Sequence, residues 1–280
     1  MKPKAMENDN ALTTMKTKCL NCGTEFEGFF CPKCGQKATT GRFTMKFLFQ
    51  NLLVGIFGND GSVWFTLKKL FSRPGTMVKE ILDGKRKSYF SPFPMLFCAL
   101  AFYILLFTLT GTVDDTRVDL HGEDFVISLN KYNYILSSNQ LSRFLDAYWN
   151  HYTTSTLLTL PLLVVAARAC FGKKNRKRYY WAEYCVPIVY AMVLTTLFRC
   201  LTCIVFTFAP EVALFLKLFT WVIMAVAIAF CFRKMAEMSF IKSFWRSLLT
   251  MLLYHTMILF LIIIGVIVVA KIQGTVTIDA

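Results

Sequence analysis

The sequence predicts an all-α membrane protein, a bundle of about five transmembrane helices with a small zinc ribbon near its N-terminus. The first observation is composition: the 280 residues are 55% hydrophobic and only 17% charged, whereas soluble domains carry about 25% charged residues. The second is the net charge of +14, since the lysines and arginines that produce it gather between the apolar stretches. The third is a pair of CxxC motifs near the N-terminus. High apolarity also excludes intrinsic disorder as the state of the whole chain.

Residues 1–18 are polar and predict a disordered tail, and residues 19–38 form the predicted zinc ribbon. Its candidate ligands are Cys19, Cys22, Cys31 and Cys34. Four thiolates at this spacing can hold one zinc ion tetrahedrally, and a closed ligand set is structural and not catalytic. We expect residues 24–30 to form a hairpin between the two knuckles. Gly23 and Gly35 follow the knuckles and can turn backbone amides toward the sulfurs in the left-handed conformation.

Other interpretations of the cysteines remain open. Iron in a rubredoxin-type site uses the same ligands, and disulfides are disfavoured on a reducing cytoplasmic side. The other six cysteines lie in or beside apolar stretches, as is typical of packing residues. The ribbon is small enough that few of its apolar side chains can be buried. The candidates for contact with a protein partner are Leu20, Phe26, Phe29 and Phe30.

Residues 43–91 predict basic, amphipathic juxtamembrane helices. An apolar run within residues 43–57 is too short to cross a membrane and predicts an interfacial helix or a helix packed beneath the bundle. Ser62 can cap a second helix, which Pro74 ends, and a third helix is expected over residues 76–82. The candidate contacts for anionic lipid are Lys85, Arg86 and Lys87, at about 1 kcal/mol per base near the surface. Such bases also enforce topology. Nucleic-acid binding is a weaker interpretation, because the charge is spread through several loops.

Several motifs occur in a fixed order: CxxCG, FCPxCGQK, Thr66-Leu-x2-Leu, Arg73-Pro-Gly75 and Gly84-Lys-Arg-Lys87. This order resembles a bacterial family of zinc-ribbon membrane proteins, domain-of-unknown-function family 3667. The resemblance covers about Cys19 to Pro94 and implies a membrane protein without an assigned activity. Five spans behind a cytoplasmic N-terminal segment also resemble the Yip1-type membrane proteins, in architecture alone.

The predicted bundle occupies residues 92–271. Its five apolar stretches are residues 92–111, 153–171, 184–208, 212–232 and 248–270. The connections alternate between many bases and few, and bases mark the cytoplasmic side. We therefore expect a cytoplasmic N-terminus, an acidic external loop at residues 112–152 and an external C-terminus. The family resemblance implies that the membrane is a bacterial inner membrane.

Arg199 and His255 lie inside two of the predicted spans and are the candidates for an intramembrane polar site. A charge at that depth costs a few kcal/mol and usually faces the bundle or a wet cavity. Arg199 can pair with Glu211, with Asp146 or with a backbone carbonyl. Alternatively, Arg199 and His255 can line the route of a small-solute channel or transporter. The chain contains no HExxH, GxSxG, P-loop or GxGxxG motif, so we expect no enzyme. The sequence favours a membrane-anchored scaffold with a protein partner at the ribbon, and the channel remains the alternative.

Overall fold

The computed structural model describes residues 16–44, 62–110, 125–129, 132–136, 152–172, 178–272 and 276–277. The chain is mostly helical. The helices are α1 (Val63–Ser72), α2 (Pro74–Leu82), α3 (Pro92–Thr110), α4 (Tyr152–Phe171), α5 (Trp181–Phe208), α6 (Pro210–Met235) and α7 (Phe240–Ile272). The strands are β1 (Thr17–Lys18), β2 (Glu25–Phe26), β3 (Phe125–Leu129), β4 (Tyr132–Leu136) and β5 (Val276–Thr277).

Four helices in the described part of the chain are long and apolar enough to cross a membrane: α3, α4 from Thr153, α5, and α7 as far as Gly265. They indicate a membrane protein. The fourth predicted stretch, residues 212–232, lies within α6, a continuous helix of 26 residues. Helix α7 begins at Phe240, ahead of the apolar stretch predicted from residue 248, because the helix continues through Lys242 and Arg246 whereas hydropathy marks only its apolar part.

Helix α5 lies at the centre of the bundle. In its most apolar part 61% of the residues are buried, against 22–39% in the corresponding parts of the other three candidate spans. It packs mainly against α3 and α6. Small residues on α6 such as Ala225 and Ala229, both buried, allow close approach of helices where lipid provides little hydrophobic drive.

The juxtamembrane helices begin where their capping residues allow. The Ser62 hydroxyl accepts a hydrogen bond of 3.2 Å from the Phe65 amide, which confirms the predicted cap of α1. Helix α2 begins at Pro74, two residues before the predicted start, because proline fits the first position of a helix, where no amide partner is needed. The interfacial helix predicted within residues 43–57 lies mostly outside the described residues.

Strands β3, β4 and β5 form an antiparallel sheet that the all-α prediction missed. Phe125 pairs with Leu136 in β3 and β4, and Asn133 of β4 pairs with Thr277 of β5. The predicted acidic loop at residues 112–152 therefore contains a hairpin. Because β5 follows α7, the pairing places the chain after the last helix on the same side of the bundle as the connection between α3 and α4.

Candidate metal centre and intramembrane cavity

The two CxxC motifs are the turns of two similar hairpins. Thr17 pairs with Phe26 around the first motif, and Phe30 pairs with Lys37 around the second. The prediction that residues 24–30 form a hairpin between the knuckles is therefore wrong. These residues include β2 and connect the hairpin around the first motif to the hairpin around the second. The module also begins at β1, before the predicted limit of residue 19.

Backbone hydrogen bonds repeat in the two turns. In the first, the Cys19 amide donates to the Thr24 carbonyl and the Gly23 amide to the Cys19 carbonyl, both at 2.9 Å. The two corresponding bonds in the second turn are 2.9 and 2.8 Å long. The φ angles of Gly23 and Gly35 are +77° and +71°, which confirms the predicted left-handed glycines.

The hairpins bring the four predicted sulfur ligands together. All four sulfurs lie within 4.8 Å of one another, and the sulfurs of Cys19 and Cys34 are 3.5 Å apart, as are those of Cys22 and Cys31. A tetrahedral zinc with bonds of about 2.3 Å requires sulfurs about 3.8 Å apart, whereas a disulfide requires about 2.05 Å. All ten cysteines are among the described residues, and none forms a disulfide. This cluster can hold one metal ion.

The environments of two of the thiols differ. Hydrogen bonds from the hydroxyl and the backbone of Thr24 lower the pKa of the Cys22 thiol to about 6. Partial burial raises the pKa of the Cys34 thiol to about 11, although a hydrogen bond from the Gln36 backbone opposes it. Metal ligation requires thiolates, so binding at this site releases protons.

Gln36 joins the ribbon to the connection between α2 and α3. Its side chain is buried, with 5% exposed. The Gln36 amide nitrogen donates to the Gly84 carbonyl at 2.9 Å. Its oxygen accepts from the backbone amides of Arg86 and Lys87, both at 3.2 Å. A single side chain thus satisfies three backbone groups of this connection.

A second contact between the ribbon and this connection lies beside the first. The Asn21 oxygen accepts from the backbone amide of Ser88 at 3.3 Å and from its hydroxyl at 3.0 Å. Gly84 has a φ of +106°, and a Cβ placed there would lie 2.6 Å from Leu20 Cδ1. The first knuckle therefore packs against the turn that follows α2.

The basic residues predicted to contact lipid lie against the ribbon and α2. Lys85 pairs with Glu80 at 3.1 Å. The Arg86 guanidinium donates to the Gly41 carbonyl at 2.6 Å and stacks 3.8 Å from the Phe43 ring centroid. Their contact with anionic lipid stays a prediction.

An ion pair between a half-exposed arginine and a buried glutamate ties the residues after the ribbon to α5. Arg42 donates to both carboxylate oxygens of Glu183, at 3.0 and 2.6 Å, and stacks over the Tyr180 ring at 4.1 Å. Glu183 is only 2% exposed and also accepts from the Tyr180 amide at 2.7 Å, as in a capping box. Hydrogen bonds to Glu183 raise the pKa of Arg42 above its ordinary value.

Glu80, at the end of α2, has a perturbed carboxyl. Burial raises its pKa, but hydrogen bonds from Tyr89 and Lys85 outweigh burial and leave the pKa below its ordinary value. The Tyr89 hydroxyl donates to Glu80 at 2.5 Å. This pair fixes α2 against the start of the bundle.

Sequence reasoning missed Gln36, Arg42 and Glu183 as contact residues. The available signal for Glu183 was a lone carboxylate in the first turn of an apolar helix. Four residues were predicted to contact a protein partner. The prediction is wrong for Phe26, because its side chain is only 6% exposed and packs inside the ribbon. Phe29 and Phe30 are 42% and 56% exposed.

The bundle contains a cavity of about 90 Å³ among α4, α5, α6 and α7, and both Arg199 and His255 lie in its wall. Leucine and methionine side chains form its apolar part. Its polar and aromatic part consists of Ser155, Thr156, Thr195, Thr220, Trp221 and Tyr254. The structure thus places the two predicted intramembrane polar residues in one cavity. Of the partners predicted for Arg199, Asp146 and the side chain of Glu211 lie outside the described parts.

His255 has a defined orientation in this wall. Its Nδ1 lies 2.6 Å from the Met251 carbonyl, and its ring centroid lies 4.2 Å from that of Trp221 and 4.9 Å from that of Tyr254. The Nε2 atom is buried without a hydrogen-bond partner among the described residues. A carbonyl accepts only from a protonated nitrogen, so Nδ1 carries the hydrogen.

Comparison with known proteins gives one family. The model of a family described as a protein of unknown function, DUF3667, matches residues 60–104. This match confirms the resemblance over α1, α2 and the start of α3, but it does not include the ribbon. No curated protein and no solved structure matches the chain significantly. The likeness to Yip1-type proteins has no support.

Proposed function

We propose that this chain is a non-enzymatic, multi-pass membrane protein that presents a docked zinc ribbon to a protein partner at the cytoplasmic face. The observation that carries the proposal is the attachment of the ribbon. Gln36 and Arg42 fix it to the membrane-proximal helices, while Phe29 and Phe30 stay exposed. Exposed apolar residues on a fixed module favour a recognition surface, because little ordering entropy is lost on binding.

The partner proposal is tested by in-cell crosslinking and affinity capture. We expect a Phe29→Ser, Phe30→Ser double variant to lose partners that the wild type retains. Lys33→Ser is the matched control, because Lys33 is exposed on the same ribbon and is not part of the apolar pair. Identical partner sets for the wild type and the double variant would refute the docking role.

We infer that the metal is one structural zinc ion, since four closed thiolates match its ligand preference. Metal analysis of the purified full-length protein should give one zinc per chain, and Cys31→Ser should lose it. Cys98→Ser is the control, because Cys98 lies on α3 away from the cluster. Stoichiometric iron would contradict the identity of the metal but not the site.

We propose five spans, in which α6 crosses the membrane in addition to α3, α4, α5 and α7. We also propose a cytoplasmic N-terminus and an external C-terminus in a bacterial inner membrane. The bases between the spans support this orientation. The pairing of β5 with β4 supports a shared side for residues 112–152 and the C-terminus. Alkaline phosphatase, active only outside, should be active when fused after Ala280 and inactive when fused after Gly172. The reverse pattern would overturn the orientation.

A small-solute channel or transporter is the second candidate function. The observation that favours it is the cavity that brings Arg199 and His255 together, because an anchor alone predicts a filled core. Solute flux into liposomes should fall in Arg199→Leu and His255→Ala variants. Unchanged flux in both variants would count against this route.

A further inference from the structure

We propose that an apolar groove between α1, α5 and α6 binds one acyl chain of an anionic phospholipid, whose headgroup lies against bases of α1 and of the end of α6. This groove is separate from the cavity that contains Arg199 and His255. The proposal adds a lipid ligand to the protein and does not depend on a protein partner at the ribbon.

The groove offers only apolar contacts. It has a volume of about 330 Å³, and all the described residues that line it are apolar. Leu201 of α5 and Phe230 of α6 belong to its wall and are 50% and 38% exposed, so the groove opens to the outside of the bundle. In a membrane that surface faces hydrocarbon. A chain that fills the groove makes dispersion contacts that an empty cleft lacks.

The length of the groove matches one leaflet of a bilayer. The Thr195 hydroxyl donates to the Met224 sulfur at 3.0 Å, which sets the register between the antiparallel helices α5 and α6. From this level, Leu201 lies six residues along α5 in one direction and Phe230 six residues along α6 in the other. At 1.5 Å per residue the wall is about 18 Å long, and one leaflet contributes about half of a hydrocarbon layer of about 30 Å.

One end of the groove lies where α2 begins against α6. A Cβ placed on Gly75 would lie 2.5 Å from the Phe230 carbonyl oxygen and 3.3 Å from Lys234 Cγ. Lys234 is exposed in the last turn of α6. The segment that leads into α2 adds two more bases, Lys68 and Arg73. This end of the groove therefore suits the headgroup, and the other end suits the tip of the chain.

The charge at this end favours an anionic headgroup over a zwitterionic one. Helix α1 contains no acid. The nearest acids after Arg73 and Lys234 along the chain are Glu80 and Glu237, and both are paired with other bases: Glu80 with Lys85 at 3.1 Å, and Glu237 with Arg178 at 2.5 Å. Bases at a membrane surface attract the anionic lipids of the adjoining leaflet.

The exposed face of α1 is typical of a helix at a membrane surface. Trp64, Lys68 and Phe71 share this face, because they are spaced at i, i+4 and i+7. Trp64 is 78% exposed and Phe71 66% exposed. Tryptophan is enriched at the level of the headgroups, and lysine can extend toward them. Phe71 also lines the groove, so the face of α1 that suits the membrane surface continues into the groove.

Native mass spectrometry of the full-length protein tests the headgroup contact. The protein, in neutral detergent, is mixed with equal amounts of phosphatidylglycerol and phosphatidylcholine that carry identical acyl chains. We expect the wild type to retain one phosphatidylglycerol in preference to phosphatidylcholine. Each base contributes about fivefold in affinity, so the double variant Lys68→Gln, Lys234→Gln should weaken this preference roughly 30-fold.

A matched double variant controls for the loss of charge. Lys33→Gln, Lys242→Gln removes two exposed bases, one from the ribbon and one from the start of α7, and should keep the wild-type preference. An equal preference in both double variants would overturn the headgroup contact, as would a wild type without any preference. Inorganic phosphate in excess should not displace the lipid, and displacement would assign the bases to free phosphate instead.

A variant that fills the groove tests the contact with the acyl chain. Leu197 lines the groove, so Leu197→Trp should reduce the amount of retained phosphatidylglycerol severalfold. Leu252→Trp is the control, because Leu252 is 62% exposed on α7, outside the groove. Equal retention by these two variants would overturn the groove as the binding site.

Photocrosslinking of the wild type needs no substitution, in case Leu197→Trp fails to fold. Phosphatidylglycerol with a diazirine at the tip of one acyl chain is added in a small proportion to phosphatidylcholine vesicles that contain the full-length protein. We expect the labels to be enriched in the peptide of α5 that contains Leu197 and Leu201. Equal labelling of that peptide and of the exposed side of α7 at Leu252 and Phe260 would indicate ordinary contact with bulk lipid and overturn the proposal.

Discussion

Replacing Gln36 with leucine should release the ribbon from the membrane-proximal connection. Leucine has a similar volume but cannot replace the three hydrogen bonds to Gly84, Arg86 and Lys87. A buried polar group left without a partner costs about 1–3 kcal/mol. The connection is half-buried, so water can reach part of it and the low end of that range applies. Three groups at about 1 kcal/mol or slightly less give roughly 2–3 kcal/mol of lost docking free energy.

Hydrogen exchange measures this loss directly. At 1.4 kcal/mol per factor of ten, a loss of 2–3 kcal/mol raises the undocked population about 30- to 150-fold. Amides that exchange through this local opening speed up by the same factor. We therefore expect peptides that contain the amides of Arg86 and Lys87 to exchange about 30- to 150-fold faster in Gln36→Leu.

Two control variants separate docking from damage to the ribbon. Gln36→Glu keeps acceptors for both amides and loses only the donor to Gly84, so its exchange rate should lie between those of the wild type and Gln36→Leu. Lys37→Leu changes an exposed neighbour and should leave exchange unchanged. The metal content should be the same in all variants. If metal-loaded Gln36→Leu exchanged the amide hydrogens of Arg86 and Lys87 at the wild-type rate, the proposed docking contact would be refuted.

Three further substitutions have expected outcomes, each measured as thermal unfolding of the purified protein. Glu183→Gln weakens an ion pair whose carboxylate is only 2% exposed and should lower the free energy of unfolding by about 1–2 kcal/mol. Glu237→Gln weakens a surface ion pair with a distance of 2.5 Å and should lower it by less than about 1 kcal/mol. Equal losses of stability in the two variants would contradict the role of burial. Gly84→Ala adds a close contact to the cost of a positive φ, whereas Gly28 has the same φ of +106° in open space. Gly84→Ala should therefore be more destabilising than Gly28→Ala, and the reverse order would refute the packing of the first knuckle. Glu80 has a lowered pKa, so its stabilisation is present above the ordinary value of 4.5 and lost as the pH falls through the folded-state value. Glu80→Gln should be less stable to unfolding than the wild type by about 0.5–1 kcal/mol at neutral pH and equally stable in acid. A difference in stability that persists in acid would contradict this pH dependence.

The helices and the four-cysteine cluster were predictable because their signals are local. Apolar runs of about 20 residues mark membrane helices, a serine before α1 marks its cap, and the spacing of the cysteines places four sulfurs around one point. The positive φ of Gly23 follows from its place after a knuckle. Each of these depends on residues within a few positions of one another.

The sheet of β3, β4 and β5 was not predictable in this way. Strand β5 has two residues and follows α7, while β4 precedes α4, so their pairing joins segments more than a hundred residues apart in sequence. Strand propensity depends strongly on such pairing and burial. Residues 112–152 were judged by their acidic charge and their place between two spans, and neither feature reports on a partner at the end of the chain.

The basic residues of the connection between α2 and α3 show why the docking of the ribbon was also missed. Sequence analysis detects the positive charge of their side chains, and the preference of basic residues for the cytoplasmic side of a membrane already explains that charge. The contact with Gln36 instead uses the backbone amides of Arg86 and Lys87, which almost every residue type possesses. A conformation, not a residue type, presents those amides, and Gly84 with its positive φ helps to set it. The informative residue was therefore Gln36 on the ribbon, because a buried glutamine side chain needs hydrogen-bond partners. In a module this small those partners had to come from outside it.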